Sequence, residues 1–192
     1  MKLGKVIFLN GPSSSGKTTL AQLLQEKLPK PFMLIGIDKL IEMMPAHLNN
    51  WEGGLAKEGF SWKQETDEHG HILQEIQLGP YAQKVADALK PVVLALLDQG
   101  LNVLVDEVCL ESAPYLAWQK ALKPYEVLYV GIHASVDVLE QREKARMDRM
   151  QGSARAQHAK VHQDKKYDLL IDTSTHELEA CANEILAALP YF

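Results

Sequence analysis

The sequence has little cysteine, no long apolar run and no excess of positive charge, and each absence removes a class of protein. Only Cys109 and Cys181 are present, without paired spacing, so both read as core thiols rather than as a disulfide or a zinc site. No stretch approaches the roughly 20 apolar residues that carry a helix across a bilayer. A formal net charge of −5 gives nucleic acid or an anionic membrane no reason to be the main partner. Low-complexity segments and internal repeats are also missing. The first apolar run is too short for a signal peptide, so a cytoplasmic protein is expected. With 192 residues, 46% of them apolar, one domain spanning 1–192 with one substantial core is expected.

What is present is led by Gly11-Pro12-Ser13-Ser14-Ser15-Gly16-Lys17-Thr18, which fits G-x-x-x-x-G-K-[ST] at every fixed position. An apolar run, Val6-Ile7-Phe8-Leu9, precedes it, and an amphipathic stretch from Thr19 onward follows. Strand, glycine turn and helix together describe a phosphate-binding loop, with Gly11 and Gly16 supplying backbone angles that a Cβ blocks. Loop N–H groups at a helix N-terminus would cradle the phosphates, from Gly11 through Thr19. Lys17 adds a positive charge for the β- and γ-phosphates, and the Thr18 hydroxyl is placed to ligate Mg²⁺. ATP with Mg²⁺ is the expected ligand pair.

Strand and helix signals alternate along the chain, which predicts a parallel sheet covered on both faces. Strands are expected at 5–10, 32–37, 101–106, 126–133 and 168–172, and helices at 17–28, 38–44, 80–98, 113–122, 136–150 and 178–189. Five such strands make an α/β, three-layer, P-loop kinase-like fold. The stretch 45–80 breaks the alternation. Its two period-2 runs, at 60–64 and 71–76, predict a β-hairpin turning near Gly70, and so long an insertion is expected to cover the acceptor.

Four groups of residues carry candidate chemistry. Asp38 follows the second strand at the carboxyl edge of the sheet, where a carboxylate can take a proton from an acceptor hydroxyl; a helix cap is the competing role. Asp106 ends the third strand and is the expected Mg²⁺ carboxylate, with Glu107 in reserve and simple solvation of a strand end as the alternative. Arg142, Arg146 and Arg149 fall at i, i+4 and i+7, one face of a helix, and predict an arginine lid over the phosphates within 142–160. Glu143 and Asp148 offer the competing picture of a solvated face with local ion pairs. His158 and His162 have ligand spacing but no zinc motif around them. Trp51, Phe60 and Trp62 are placed either to line an acceptor pocket or to pack a small lobe.

These residues carry a resemblance. Asn10-Gly11, Ser13-Ser14, Gly16-Lys17 and above all Gly36-Ile37-Asp38-Lys39-Leu40-Ile41-Glu42-Met43-Met44-Pro45 resemble the chloramphenicol phosphotransferase family. The likeness runs on through Val105-Asp106-Glu107-Val108, Tyr129-Val130-Gly131-Ile132, Arg142-Glu143, Val161-His162, Tyr167-Asp168 and Asp172-Thr173-Ser174. It implies a P-loop kinase fold and ATP-dependent phosphorylation of a primary hydroxyl, with antibiotic resistance as the family's associated role. It further implies Asp38 as catalytic base, Gly11 to Thr18 as nucleotide loop and the three arginines as lid. The likeness is poorest between Asn49 and Gly79, where acceptor specificity is expected to reside.

The expected function is therefore transfer of the ATP γ-phosphoryl group to a hydroxyl of a small molecule, with Lys17, Asp38, Arg146 and Arg149 as the catalytic set and Arg142 on the nucleotide. A nucleoside monophosphate kinase is the second reading. It is weakened by six Asp/Glu against only Lys57 and Lys63 between positions 52 and 75. A nucleotide-dependent switch without kinase chemistry is the third.

Overall fold

The computed structural model describes residues 3–146 and 150–189. Strand β1 (Lys5–Asn10) leads through the loop into helix α1 (Lys17–Lys27), then β2 (Phe32–Gly36), α2 (Ile37–Glu42) and a 3₁₀ turn (Ala46–Leu48). The hairpin strands β3 (Phe60–Thr66) and β4 (Ile72–Leu78) precede α3 (Pro80–Asp98), β5 (Asn102–Glu107), α4 (Ser112–Leu122) and β6 (Glu126–His133). The chain ends with α5 (Val136–Lys144), α6 (Ser153–Val161), β7 (Leu169–Asp172) and α7 (Leu178–Ala187).

Five parallel strands form one sheet in the order β2-β5-β1-β6-β7. Continuous apolar strands arise because alternate side chains feed two different cores. Ile7, Leu9 and Leu104 pack with α1 and α7, while Val6, Phe8, Val103 and Val105 pack against α3 and α4. β1 is central, so its carboxyl end delivers the glycine loop to the middle of the sheet edge, where α/β ligands bind. Register places Asp106 beside Leu9 on one side and Gly36 on the other.

The hairpin is longer than the sequence pattern predicts, pairing Phe60 with Leu78 through Thr66 with Ile72. At its turn the Asp67 carboxylate accepts the His69 and His71 N–H groups at 2.9 and 2.8 Å. At its base Phe60, Met44 and Ala82 form a small core joining the hairpin to α2 and α3. Phe60 is thus a packing residue, and Trp51 stacks on it at a 6.1 Å centroid distance.

One helix departs from expectation. The predicted helix 136–150 ends at Lys144, and a second helix, α6, starts at Ser153. The cause is Glu143, 2% exposed, whose carboxylate turns onto the start of α6 and accepts Gly152 N–H at 2.6 Å, Ser153 Oγ–H at 2.7 Å and Ala154 N–H at 2.8 Å. Orphan N–H donors at a helix start are strong partners for a buried carboxylate, and that bond set competes with continuation of α5 past Lys144. Arg142 lies within α5 and Arg146 beyond its end, so these two do not share one helix face; Arg149 lies outside the described residues.

Candidate active site

The glycine loop closes on itself and is held from outside. Ser15 N–H donates to Pro12 O at 3.3 Å and Lys17 Nζ donates to the same carbonyl at 2.8 Å. Gly16 has φ +87°, a conformation an L side chain strains to adopt, and it leads directly into α1. Gly11 is required for a different reason than the backbone angle expected of it: a Cβ there would lie 2.3 Å from the Ile132 carbonyl oxygen on β6. α1 has no side-chain cap and no acidic residue in its first turn, which leaves its positive end to an anion. Thr19 is exposed in that first turn.

Behind the loop, Thr173 and Arg142 engage its carbonyls. Thr173 Oγ1 donates to Ser15 O at 2.8 Å, and Arg142 donates to Thr173 O at 2.7 Å, to Thr173 Oγ1 at 3.0 Å and to Ser14 O at 3.5 Å. Arg142 is therefore seen bracing the loop. Among the described residues, the buried side-chain polar atoms without a hydrogen-bond partner are Ser14 Oγ, Ser15 Oγ and Ser61 Oγ. Two of the three belong to this loop, and Ser14 itself holds φ 62°. Buried hydroxyls are almost always paired, so two orphans in a cradle with a helix N-terminus fit an anionic ligand such as a phosphate chain.

On the floor of the site, Thr18 Oγ1 donates to Asp106 Oδ2 at 2.6 Å and Lys17 Nζ lies 4.0 Å from Asp106 Oδ1. Strand alternation decides between the two acids of β5. Asp106 points to the α1 side with Leu104, whereas Glu107 shares the side of Val103 and Val105, where it accepts Val108 N–H at 2.9 Å. Burial pushes the Glu107 carboxyl up, opposed by that N–H and by Trp118. One carboxylate and one hydroxyl suit Mg²⁺, which keeps several waters; no cluster of three or more His, Cys, Asp or Glu with metal-binding geometry occurs among the described residues.

Asp38 is exposed in the first turn of α2, two residues past the Gly36 that pairs with Asp106. The helix starts at Ile37 with Gly36 as its cap, so the capping role weighed for Asp38 does not hold. Arg146 is also exposed.

Three features escaped the sequence reading. Asn10, fully buried, ties the base of the loop to its surroundings: Oδ1 accepts Cys109 N–H at 2.7 Å, and Nδ2 donates to Tyr167 Oη at 2.7 Å and Val161 O at 3.1 Å. Gln157 of α6 reaches the loop directly, its Oε1 accepting Ser13 N–H at 2.6 Å. Glu143 looked like one member of a surface charge pattern; the available signal was Gly152-Ser153, a helix start. His158 and His162 do lie together, with His133, at ring distances of 5.6 and 5.9 Å from it. Burial lowers His162 to about 4, against a bond to Ile132 O, and lowers His158 as well.

Beyond the loop a cavity of about 120 Å³ opens between β4, α6 and the turn after β5. Gln157 lines it; Trp51, Phe60 and Trp62 do not. No helix of the described residues is long and apolar enough to cross a membrane.

Comparison with known proteins agrees with this geometry. The family described as chloramphenicol phosphotransferase-like protein matches residues 4–190. "Putative O-phosphotransferase Rv2636" of Mycobacterium tuberculosis (strain ATCC 25618 / H37Rv) is 30% identical over 194 residues, covering 100% of this chain and 86% of that protein. Among solved structures, the Mycobacterium tuberculosis APS kinase CysC in complex with AMPPNP and APS superposes with a TM-score of 0.66 at 17% identity, covering 98% of this chain and 99% of that one. A sugar kinase from Janibacter sp. HTCC2649 gives a TM-score of 0.62 at 15% identity, covering 97% and 94%. The solved structures share the fold; the family match and the mycobacterial relative support a transferase. A glycine loop braced by Thr173 and Arg142, the Thr18–Asp106 pair and a family match over nearly all of its length place this chain in the chloramphenicol phosphotransferase-like family.

Proposed function

We propose that the protein transfers the γ-phosphoryl group of ATP to a hydroxyl of a small molecule. The observation that carries this reading is the 2.6 Å Thr18–Asp106 bond with Lys17 alongside, set at the mouth of a loop with two unpartnered serine hydroxyls. Loop N–H groups, the Ser14 and Ser15 hydroxyls and Lys17 would hold the phosphates. Thr18 and Asp106 would hold Mg²⁺, which supplies charge neutralisation on the phosphate oxygens when bound.

Asp38 is the base in this reading. It takes the proton from the acceptor hydroxyl while that oxygen bonds to the γ-phosphorus and ADP leaves. Its support is position: an exposed carboxylate at the carboxyl end of β2, beside the strand that carries Asp106. Arg146 and Arg149 are assigned to charge developing on the transferred group, and 45–80 to covering the acceptor.

The test is ATP- and Mg²⁺-dependent phosphorylation of a panel containing chloramphenicol, neutral and amino sugars and nucleoside monophosphates, read by mass spectrometry. A phosphorylated product on a hydroxyl, absent without Mg²⁺, supports the reading. Nucleotide hydrolysis with no acceptor product across the panel counts against it.

A further inference from the structure

The 120 Å³ cavity lies beside the nucleotide loop and shares Gln157 with it. One wall is β4, with Gln74 and Glu75, and the opposite wall is α6, with Gln157 and Lys160. Glu111 closes one end. Two links connect it to the catalytic centre: Gln157 binds Ser13 N–H of the loop at 2.6 Å, and the Glu111 turn follows β5, the strand that carries Asp106. The walls are also joined to each other, since Gln74 N–H donates to Gly152 O at 3.3 Å and Lys160 pairs with Glu75 at 2.6 Å.

We propose that this cavity receives the phosphoryl acceptor and selects a neutral or cationic, hydroxyl-rich molecule over an anionic one. The proposal rests on the kinase reading above and adds the acceptor's place and class. Charge is the first argument. Lys160 pairs with Glu75, and Lys165, bound to the Leu110 and Lys160 carbonyls at 3.0 and 3.5 Å, is offset by Glu111, so the lining has no net positive charge to offer an anion. Glu111 also adds to the negative field that holds the Lys160 ammonium charged, after the larger effect of Glu75.

Hydrogen bonding is the second. Gln157 Oε1 is held by Ser13 N–H and Gln74 Nε2 donates to Gln64 at 3.4 Å, which leaves chiefly the Gln157 NH₂ and the Gln74 carbonyl; a hydroxyl both donates and accepts, so this donor and acceptor match a polyol edge. Ile76, Leu110 and Ala156 give the apolar patch on which the C–H face of a ring rests. Size is the third. The volume is small beside the roughly 300–1,000 Å³ that encloses a drug-sized ligand, so it takes one polar end of a molecule and leaves the rest outside.

The test is a titration of the ¹⁵N-labelled protein, saturated with a non-hydrolysable ATP analogue and Mg²⁺, with glucosamine, glucose and AMP. The expected result is that glucosamine and glucose shift the Gln74 and Gln157 side-chain amides while AMP leaves them unmoved. Glu111 makes no side-chain cap on α4, so Glu111→Lys should fold normally. It should weaken glucosamine about tenfold and admit AMP. Gln74→Trp, which fills the space, should abolish the sugar shifts with ATP affinity unchanged. Sugar shifts that map elsewhere, no binding by either sugar at about 50 mM, or AMP preferred in the wild-type protein would each overturn the proposal. The kinase reading is judged separately. If Gln74→Trp phosphorylates any acceptor with wild-type KM, the pocket assignment is wrong and the kinase stands. If wild type phosphorylates nothing, the kinase reading falls whatever the titration shows.

Discussion

The two halves of the site are built differently. Around the phosphate loop nearly every polar group that is not orphaned for a ligand is fixed from behind: Asn10 by three bonds, Ser15 O by Thr173, Asp106 by Thr18. The side proposed for the acceptor is held by the hairpin, α6 and a few ion pairs at partly exposed positions, such as Lys160–Glu75 and Arg155–Glu140. Rigid donors for a ligand common to many kinases and an adjustable wall for a ligand that differs are what a phosphotransferase needs. Exposed pairs are worth little individually, so the acceptor wall can vary in sequence at small cost in stability.

Breaking the rigid half should have the largest effect. Lys17→Ala removes the buried ammonium and should lower kcat/KM by roughly 10³ or more, with ATP affinity weakened as well, by steady-state kinetics and nucleotide titration. Next comes the buried Glu143 carboxylate at the start of α6. Glu143→Ala strips the start of α6 of three bonds and should cost about 3 kcal/mol in urea unfolding, with Glu143→Gln recovering part of it. A smaller effect is expected from Thr173→Val, which loses the bond to Ser15 O and the one accepted from Arg142 and should weaken ATP binding by roughly 1–2 kcal/mol, about five- to thirtyfold.

A pH effect locates α6 in the folding unit. His162 is held near 4, below its ordinary 6.5, so the unfolded chain binds the extra proton between those values. Stability should therefore rise with pH across roughly 4 to 6.5 and fall on acidification through that window. His162→Gln should flatten that part of a urea-midpoint profile. An unchanged profile would mean that the imidazole is as accessible in the native state as in the unfolded one.

The contrast also explains what the sequence made legible. The loop is a contiguous run whose spacing is set by phosphate geometry, and β5 ends in acid at a fixed register beside it, so Lys17, Thr18 and Asp106 could be placed from local pattern. All five sheet strands and the hairpin were likewise visible in hydrophobic period. The break after Lys144 was not, because the bond set that competes with continuation of α5 runs from Glu143 to α6. Gln157 and Thr173 act on the loop from 144 and 158 residues away, separations that no spacing rule spans. For Phe60 the packing alternative holds, because it fills a core with Met44 and Ala82.

The central claim, phosphoryl transfer with Asp38 as base, is tested most directly by Asp38→Asn, comparing single-turnover rate and ATP affinity with wild type. The expected result is a rate lower by about 10² or more with ATP affinity within about twofold, because Asp38 is exposed in the first turn of α2, outside the Gly11–Thr18 loop. A near-normal rate would contradict it.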